Sequence, residues 1–266
     1  MFEPLGQVAA SLSNFATWPS LDAYQQLTAA SHSPPENQSG LPIRFVPQDP
    51  KPGQFSEKYE PKIYLTGEVQ TRTENWHDLF NALAWLTFPK TKAVINARHY
   101  AAFRQRETSP ATGNNRGAMQ DACTLFDESG VIVICSDASL MELLKSCQWK
   151  ELFWQRRNET KARMKFILFG HSLYEKALQP YIGMTGKGLI LTVDDAFLAQ
   201  PARLQAAELD TRLADLFSNP QNIATTRDLY SVPLLGMPGW TPENESEQYY
   251  DNTHYFRPAR RAKNTD

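Results

Sequence analysis

Six of the chain's 18 prolines (Pro34, Pro35, Pro42, Pro47, Pro50 and Pro52) fall between residues 31 and 57. Proline fixes φ and carries no N–H, so this stretch can form neither a long helix nor a central strand. It reads as an extended arm, within which Ile43-Arg44-Phe45-Val46 is suited to an edge strand. Before the arm, Ser20 caps a short helix through Leu21, Tyr24 and Leu27. A second proline-rich stretch, 231–258, carries Trp240, Tyr249, Tyr250, Tyr255 and Phe256. A free tail is poor in aromatics because it cannot offset chain entropy by burial. This stretch is therefore expected to lie against the body as a strap anchored by Trp240 and Phe256. Residues 259–266 turn basic and polar and are expected to be disordered.

The body between the arms, 58–230, mixes two periodicities. Ile63 to Val69 reads as a strand broken at Gly67. Asn75 is an N-cap with Asp78 three residues on, and Trp76, Leu79, Phe80, Leu83 and Leu86 follow at helical spacing. Pro89 ends that helix, and a second runs from about Thr91 to Arg106, so the turn Phe88-Pro89-Lys90 makes a helical hairpin. Thr124-Leu125-Phe126 and Val131 to Cys135 flank Asp127-Glu128-Ser129-Gly130, which predicts a β-hairpin with Asp127 and Glu128 as solvated loop residues. Ser136 or Asp137 caps a long helix ending near Arg157. Met164 to Phe169 and Gly188 to Val193 read as strands around a helix from Ser172 to Leu178, spaced for a parallel βαβ unit. Pro201 to Phe217 is a further amphipathic helix. The fold class expected is α+β (mixed α/β). It is one domain over 1–266, with the hairpin 75–106 packed on a small mixed sheet and extended proline-rich arms at both ends.

Composition narrows the function classes. The chain has 266 residues with 27 basic and 29 acidic side chains, a net charge of −2, which argues against a general nucleic-acid binder. Hydrophobic residues make 41% and charged residues 21%, as in ordinary soluble proteins, and no apolar run reaches membrane-spanning length. Cys123, Cys135 and Cys147 lack zinc-knuckle spacing and read as reduced thiols of a cytoplasmic protein. The opening MFEPLGQVAA has neither the basic nor the apolar region of a signal peptide. Gly-x-Gly-x-x-Gly, Gly-x-Ser-x-Gly and His-Glu-x-x-His are absent, and Gly183 to Lys187 is no P-loop. The sequence thus assigns no cofactor, no metal centre and no oligomeric state.

The candidate site residues are polar groups that packing does not demand. His77 opens the first hairpin helix beside Asp78 and shares a face with Asn81. A histidine beside an aspartate at a helix start suits a general base or a metal ligand. His99 lies on the second helix, one turn after Asn96. Gly113-Asn114-Asn115-Arg116-Gly117 is an anion-binding candidate, since glycines admit backbone N–H groups and Arg116 offers a forked donor. It resembles the Gly-Asn-x-Arg core of Fic-type nucleotidyl transferases, with the departure that His99 lies 14 residues ahead (113 − 99) rather than close before it. His77 and Asp78 also make a dyad of the HD-phosphohydrolase kind, but the histidine upstream is His32, in the proline-rich arm. Asp121 is not explained by turn chemistry. His171 stands between a strand and a helix, where ligands gather in α/β folds, whereas Ser172 and Glu175 match a capping box.

The segments Tyr59-Glu60, Thr66-Gly67, Thr71-Arg72, Asn75-Trp-His-Asp78, Asn81-Ala-Leu, Phe88-Pro-Lys90, Asn96, His99, Gly113 to Gly117 and Leu125 to Gly130 form one pattern. Phe169 to Lys176, Pro238-Gly-Trp240 and Phe256-Arg-Pro258 extend it, so it covers roughly residues 40–260. The pattern resembles a bacterial family known only as a domain of unknown function, and the Asn-Trp-His-Asp segment is its most specific part. That resemblance implies a single cytoplasmic bacterial domain and no catalytic role. From the residues themselves, the expected function is a hydrolase or transferase acting on a small phosphate- or carboxylate-bearing substrate. His77 would be the base, His99 or His171 a second acid/base beside Asp78, and Arg72, Asn81, Asn114, Arg116 and Asp121 would bind the substrate. The alternative is a non-catalytic interaction module using the C-terminal strap. The enzyme reading predicts that His77 shares a cavity with at least one of His99 and His171.

Overall fold

The computed structural model describes residues 1–12, 17–30, 34–49, 54–108 and 117–259. In chain order the elements are α1 (Gly6–Ala10), α2 (Leu21–Ala30), β1 (Arg44–Pro47), α3 (Tyr59–Thr66), β2 (Glu68–Thr71), α4 (Trp76–Thr87), α5 (Pro89–Thr108), α6 (Ala118–Ser129) and β3 (Gly130–Cys135). They continue as α7 (Ala138–Lys145), α8 (Arg157–Arg163), β4 (Met164–Leu168), α9 (His171–Ala177), β5 (Thr185–Thr192), α10 (Asp195–Leu198), α11 (Ala202–Ser218) and β6 (Tyr230–Pro233). The class is mixed α+β, as expected from the sequence.

β3 organises the body. All its residues are buried, and alternation along the strand divides them between two apolar clusters. Val131, Val133 and Cys135 pack with Leu79, Phe80 and Leu83 of α4, Leu140 of α7, and Leu173 and Tyr174 of α9. Ile132 and Ile134 pack with Val94 and Ile95 of α5, Phe126 of α6, and Leu209, Leu213 and Phe217 of α11. Helices therefore cover both faces of a sheet with strand order β4-β3-β5-β6. β3 is parallel to β5 and antiparallel to β4, and β6 is antiparallel to β5. Separately, β1 pairs in parallel with β2, placing the proline-rich arm at a small two-stranded edge.

Four expectations from the sequence are corrected. Residues 59–66 form a helix, and the strand begins only at Glu68; Gly67, at φ 74°, is its left-handed C-cap, donating to the Ile63 carbonyl. The β-hairpin at 124–135 does not exist. α6 runs through Ser129 directly into β3, because Met119, Ala122, Cys123 and Phe126 recur at helical spacing and face the second cluster. The long helix after Asp137 stops at Lys145, and Cys147, at φ 56°, reverses the chain before a π-turn at Glu151–Gln155 and α8. Asp137 does cap α7, accepting from the Ser139 and Leu140 N–H groups. Finally, β4 and β5 are not parallel neighbours, because β3 lies between them and pairs with each.

α4 and α5 meet at Phe88; α5 gives Ala93 to the first cluster and Val94 and Ile95 to the second, and the junction is also held from outside. Asp210 of α11 does this: its carboxylate accepts from the Lys90 N–H at 3.0 Å, the Thr91 N–H at 2.8 Å and the Thr91 hydroxyl at 2.8 Å. It caps the first turn of α5 from a distant helix. Burial still holds its carboxyl above the usual range. The C-terminal stretch is anchored by buried Tyr250, Tyr255 and Phe256, while Trp240 is partly buried. Tyr255 donates to the Met184 carbonyl and accepts from the Leu235 N–H. Of residues 259–266, expected to be disordered, 260–266 lie outside the described residues. Among the described residues no helix is long and apolar enough to cross a membrane. Replacing Asp210 by Ala is expected to cost about 3 kcal/mol in urea denaturation, the scale of lost hydrogen bonds to a charged acceptor. A loss below about 1 kcal/mol would show that apolar packing alone holds the junction.

Candidate active site

Three chain segments converge on one polar cluster. Asn75 caps α4 by accepting from the Asp78 N–H at 3.0 Å, and with Leu79 and Phe80 turned into the core, His77 is left at the rim. Asp127 and Glu128 lie in the last turn of α6. His171 is the first residue of α9, directly after Gly170. The last two segments are fixed together by their backbones. The Gly130 carbonyl accepts from the N–H groups of both Phe169 and Gly170, each at 3.0 Å. A Cβ on Gly170 would lie 2.5 Å from the Glu128 carbonyl oxygen and from the nitrogens of Ser129 and Gly130. Only glycine permits that approach, and the approach sets His171 beside Asp127 and Glu128.

The two imidazoles meet edge to face, with centroids 4.5 Å apart at 73°, and their Nε2 atoms are 3.0 Å apart. Glu128 Oε1 is 3.6 Å from His171 Nε2 and 3.9 Å from His77 Nε2. Behind His77, Glu175 Oε2 lies 3.1 Å from Nδ1. Behind His171, Asp127 Oδ2 lies 3.8 Å from Nδ1, which closes no hydrogen bond. The side chains of His77, Glu128 and Glu175 are 29, 38 and 44% exposed, whereas that of His171 is 5% exposed, so the cluster opens to solvent on one side only.

Burial, helped by the positive charge of Lys92 and by His77, pushes the His171 imidazole down to about 3 against the pull of Asp127, so it is neutral at physiological pH. Burial pushes the Glu128 carboxyl up, with Asp127 adding to the effect and His77 opposing it. For Asp127 burial acts in the same direction, but the Lys92 ammonium, 2.5 Å from Oδ1, outweighs it and holds the carboxyl below its usual range. Lys92 is itself 4% exposed; it also donates to Asn81 Oδ1 at 2.8 Å and lies 5.5 Å over the Trp85 ring. Asn81 in turn donates to the Tyr59 hydroxyl at 2.7 Å. A hydrogen-bonded chain of Tyr59, Asn81, Lys92 and Asp127 thus stands behind His171, buried at Asn81 and Lys92 and exposed at Tyr59.

Of the residues singled out in the sequence, His77 and His171 come together. His99 is buried on α5, seven residues beyond Lys92, with its Nδ1 unpartnered; it lies near enough to Asp127 to act on its charge but is not part of the His77–Glu128–His171 group. Asp78 does not face the histidines as an acid. It pairs with Arg72, accepting from Nε at 3.0 Å, from an Nη at 2.8 Å and from the backbone N–H at 2.6 Å, so both residues are committed to each other. Asn81 serves Lys92 rather than the open side. Asp121 sits exposed at the start of α6, seven residues and about 10 Å of helix from Glu128. Asn114 and Arg116 lie outside the described residues. The sequence reading missed Glu128 and Asp127, assigned to a loop, and Glu175, assigned to a capping box; Gly170 caps α9 without any side-chain bond, and Glu175 faces His77. The four-residue spacing of His171 and Glu175 was the available signal. Lys92, in the apolar run Lys92-Ala-Val-Ile95, gave none.

His77, Glu128 and His171 each offer one ligand atom, all within 4.8 Å of one another, and these are the residues here that could hold a metal ion. In class, then, this is a helix-covered mixed-sheet protein with an open two-histidine, carboxylate-backed centre. It belongs to the family described as "Protein of unknown function (DUF3025)", whose model matches residues 43–260, well over half of the chain. No curated protein and no solved structure matches it. Gly170→Ala is expected to lower stability by about 3 kcal/mol, since its methyl group would strike backbone atoms. Chemical denaturation checks this, and a neutral substitution would show that the two turns do not fix each other.

Proposed function

We propose that the chain is a cytoplasmic hydrolase or transferase acting on a small phosphate- or carboxylate-bearing substrate at the His77–His171–Glu128 cluster. One observation carries this reading: two imidazole Nε2 atoms converge at 3.0 Å on the open side, with a carboxylate behind each ring. The Glu175 carboxylate at Nδ1 of His77 fixes that ring and its tautomer and leaves its Nε2 lone pair to act on a reacting group. A water or substrate hydroxyl placed at the Nε2 pair loses its proton there. Its oxygen then attacks the phosphoryl or acyl centre, and the leaving group departs with the bonding electrons. Glu175 stabilises His77 in the orientation this requires. Three free cysteines support a reducing compartment, and the net charge of −2 gives no support to a large polyanionic partner.

The test is a turnover screen of purified protein against phosphomonoesters, phosphodiesters, anhydrides and carboxylic esters. Turnover of at least one class is expected, with a drop of about 100-fold or more in His77→Ala while circular dichroism stays unchanged. Activity that survives this substitution, or wild-type protein inert toward every class, would sink the proposal.

A further inference from the structure

Three ligand atoms from three elements meet at one point of the cluster: His77 Nε2, His171 Nε2 and a Glu128 carboxylate oxygen. The two Nε2 atoms stand 3.0 Å apart, with the Glu128 oxygen 3.6 and 3.9 Å away. Glu175 accepts at Nδ1 of His77 and so drives that ring to carry its proton there, which leaves its Nε2 lone pair facing the meeting point. The Asp127 carboxylate, 3.8 Å from His171 Nδ1, closes no hydrogen bond with it. Two imidazole nitrogens and a carboxylate oxygen gathered in this way are a donor set for a cation. Nearby, Arg72 is paired with Asp78, and Lys92 is held by Asp127 and Asn81.

We infer that His77 Nε2, His171 Nε2 and the Glu128 carboxylate bind one divalent first-row transition-metal ion, leaving a position open to solvent. Metal–ligand bonds of about 2.0–2.1 Å in a tetrahedron separate neighbouring ligand atoms by about 3.3–3.4 Å. The three separations here, 3.0, 3.6 and 3.9 Å, bracket that spacing, so small side-chain shifts suffice. Two imidazoles and one carboxylate suit zinc and the neighbouring divalent ions, not calcium or magnesium, which favour oxygen ligands. Glu175 then stands as an outer carboxylate orienting the His77 ring, while Asp127 places its charge beside the His171 ring. The partial exposure of His77 and Glu128 leaves a side for water, the mark of a catalytic rather than a structural site. The ion would also supply the positive charge that an anionic substrate needs. The inference deepens the proposed function and rests on it only in taking this cluster as the reaction centre; with an ion in place the two Nε2 atoms would be ligands and not bases, and the ion would supply the acidity that frees the proton of the attacking water or hydroxyl.

The full chain, stripped with chelator, is titrated with Zn²⁺ by calorimetry, and with Co²⁺ while the visible ligand-field bands are recorded. One ion per chain is expected, with binding weakened at least about 100-fold in His77→Ala and Glu128→Ala, and about 10-fold in Glu175→Gln. His77 and Glu128 are partly exposed, so these variants keep the test valid even if His171→Ala fails to fold. Absence of one-to-one binding, or affinity unchanged in both alanine variants, overturns the inference. The two proposals fail separately: turnover that persists after chelation in a chain with no one-to-one binding refutes the ion alone. A bound ion in a chain inert toward every substrate class refutes the proposed function alone.

Discussion

The site depends on a contact between two stretches of backbone. Where α6 gives way to β3, the Gly130 carbonyl takes two N–H groups from the turn that leads from β4 into α9. Gly170 can enter that turn only because it lacks a Cβ, with three backbone atoms of residues 128–130 at 2.5 Å from where one would stand. β3 and β4 are paired antiparallel just beyond, through Val131 and Leu168, so the sheet itself delivers the two turns to each other. Side-chain contacts alone would leave Glu128 and His171 free to drift, whereas a backbone contact places both to within the tolerance that chemistry needs.

The electrostatic arrangement follows from that placement. Bringing Asp127, Glu128 and Glu175 near two histidines concentrates negative charge on a half-buried patch. Lys92 offsets part of it from within, and its ammonium is satisfied by Asp127 and Asn81 and covered by the Trp85 ring. A buried ion pair of this kind adds little net stability, because desolvation cancels most of the attraction. Its consequence is positional: Lys92 pins Asp127, which faces one histidine ring. Arg72 does the same on the outside for Asp78 and so fixes the entry into α4.

Local pattern made parts of this legible. Asn75, Leu79, Phe80 and Leu83 announce α4, and Asp137 announces α7, because caps and helical spacing are short-range signals. The run Val131 to Cys135 was readable as a strand. What preceded it was not, because Asp127-Glu128-Ser129-Gly130 has turn composition while tertiary packing of Ala122, Cys123 and Phe126 keeps it helical. That one misassignment hid two acidic residues of the site. His77 and His171 stood out as polar residues at helix starts, but their meeting depends on the order β4-β3-β5 and on the Gly170 contact, neither of which spacing reveals.

Elsewhere in the core, buried polar groups close their bonds and thereby tie elements together. Arg98 of α5 donates to the carbonyls of Phe217, Pro220 and Ile223 at the end of α11, and Asn244 donates to those of Leu235 and Met237. Asp210 receives three donors at the start of α5. These groups replace lost water contacts one for one, and their role ends there. Among the described residues a few buried atoms stay unpartnered, Trp85 Nε1, Asn96 Oδ1 and Gln120 Nε2 among them. At His77, His171 and Glu128 the pattern is different: two ring nitrogens and a carboxylate oxygen from three elements gather within 4.8 Å of one another, on the side that water can reach. Bringing partly buried polar groups together in this way gains the fold little stability. The convergence has its physical rationale in what can enter it, a cation or a substrate proton.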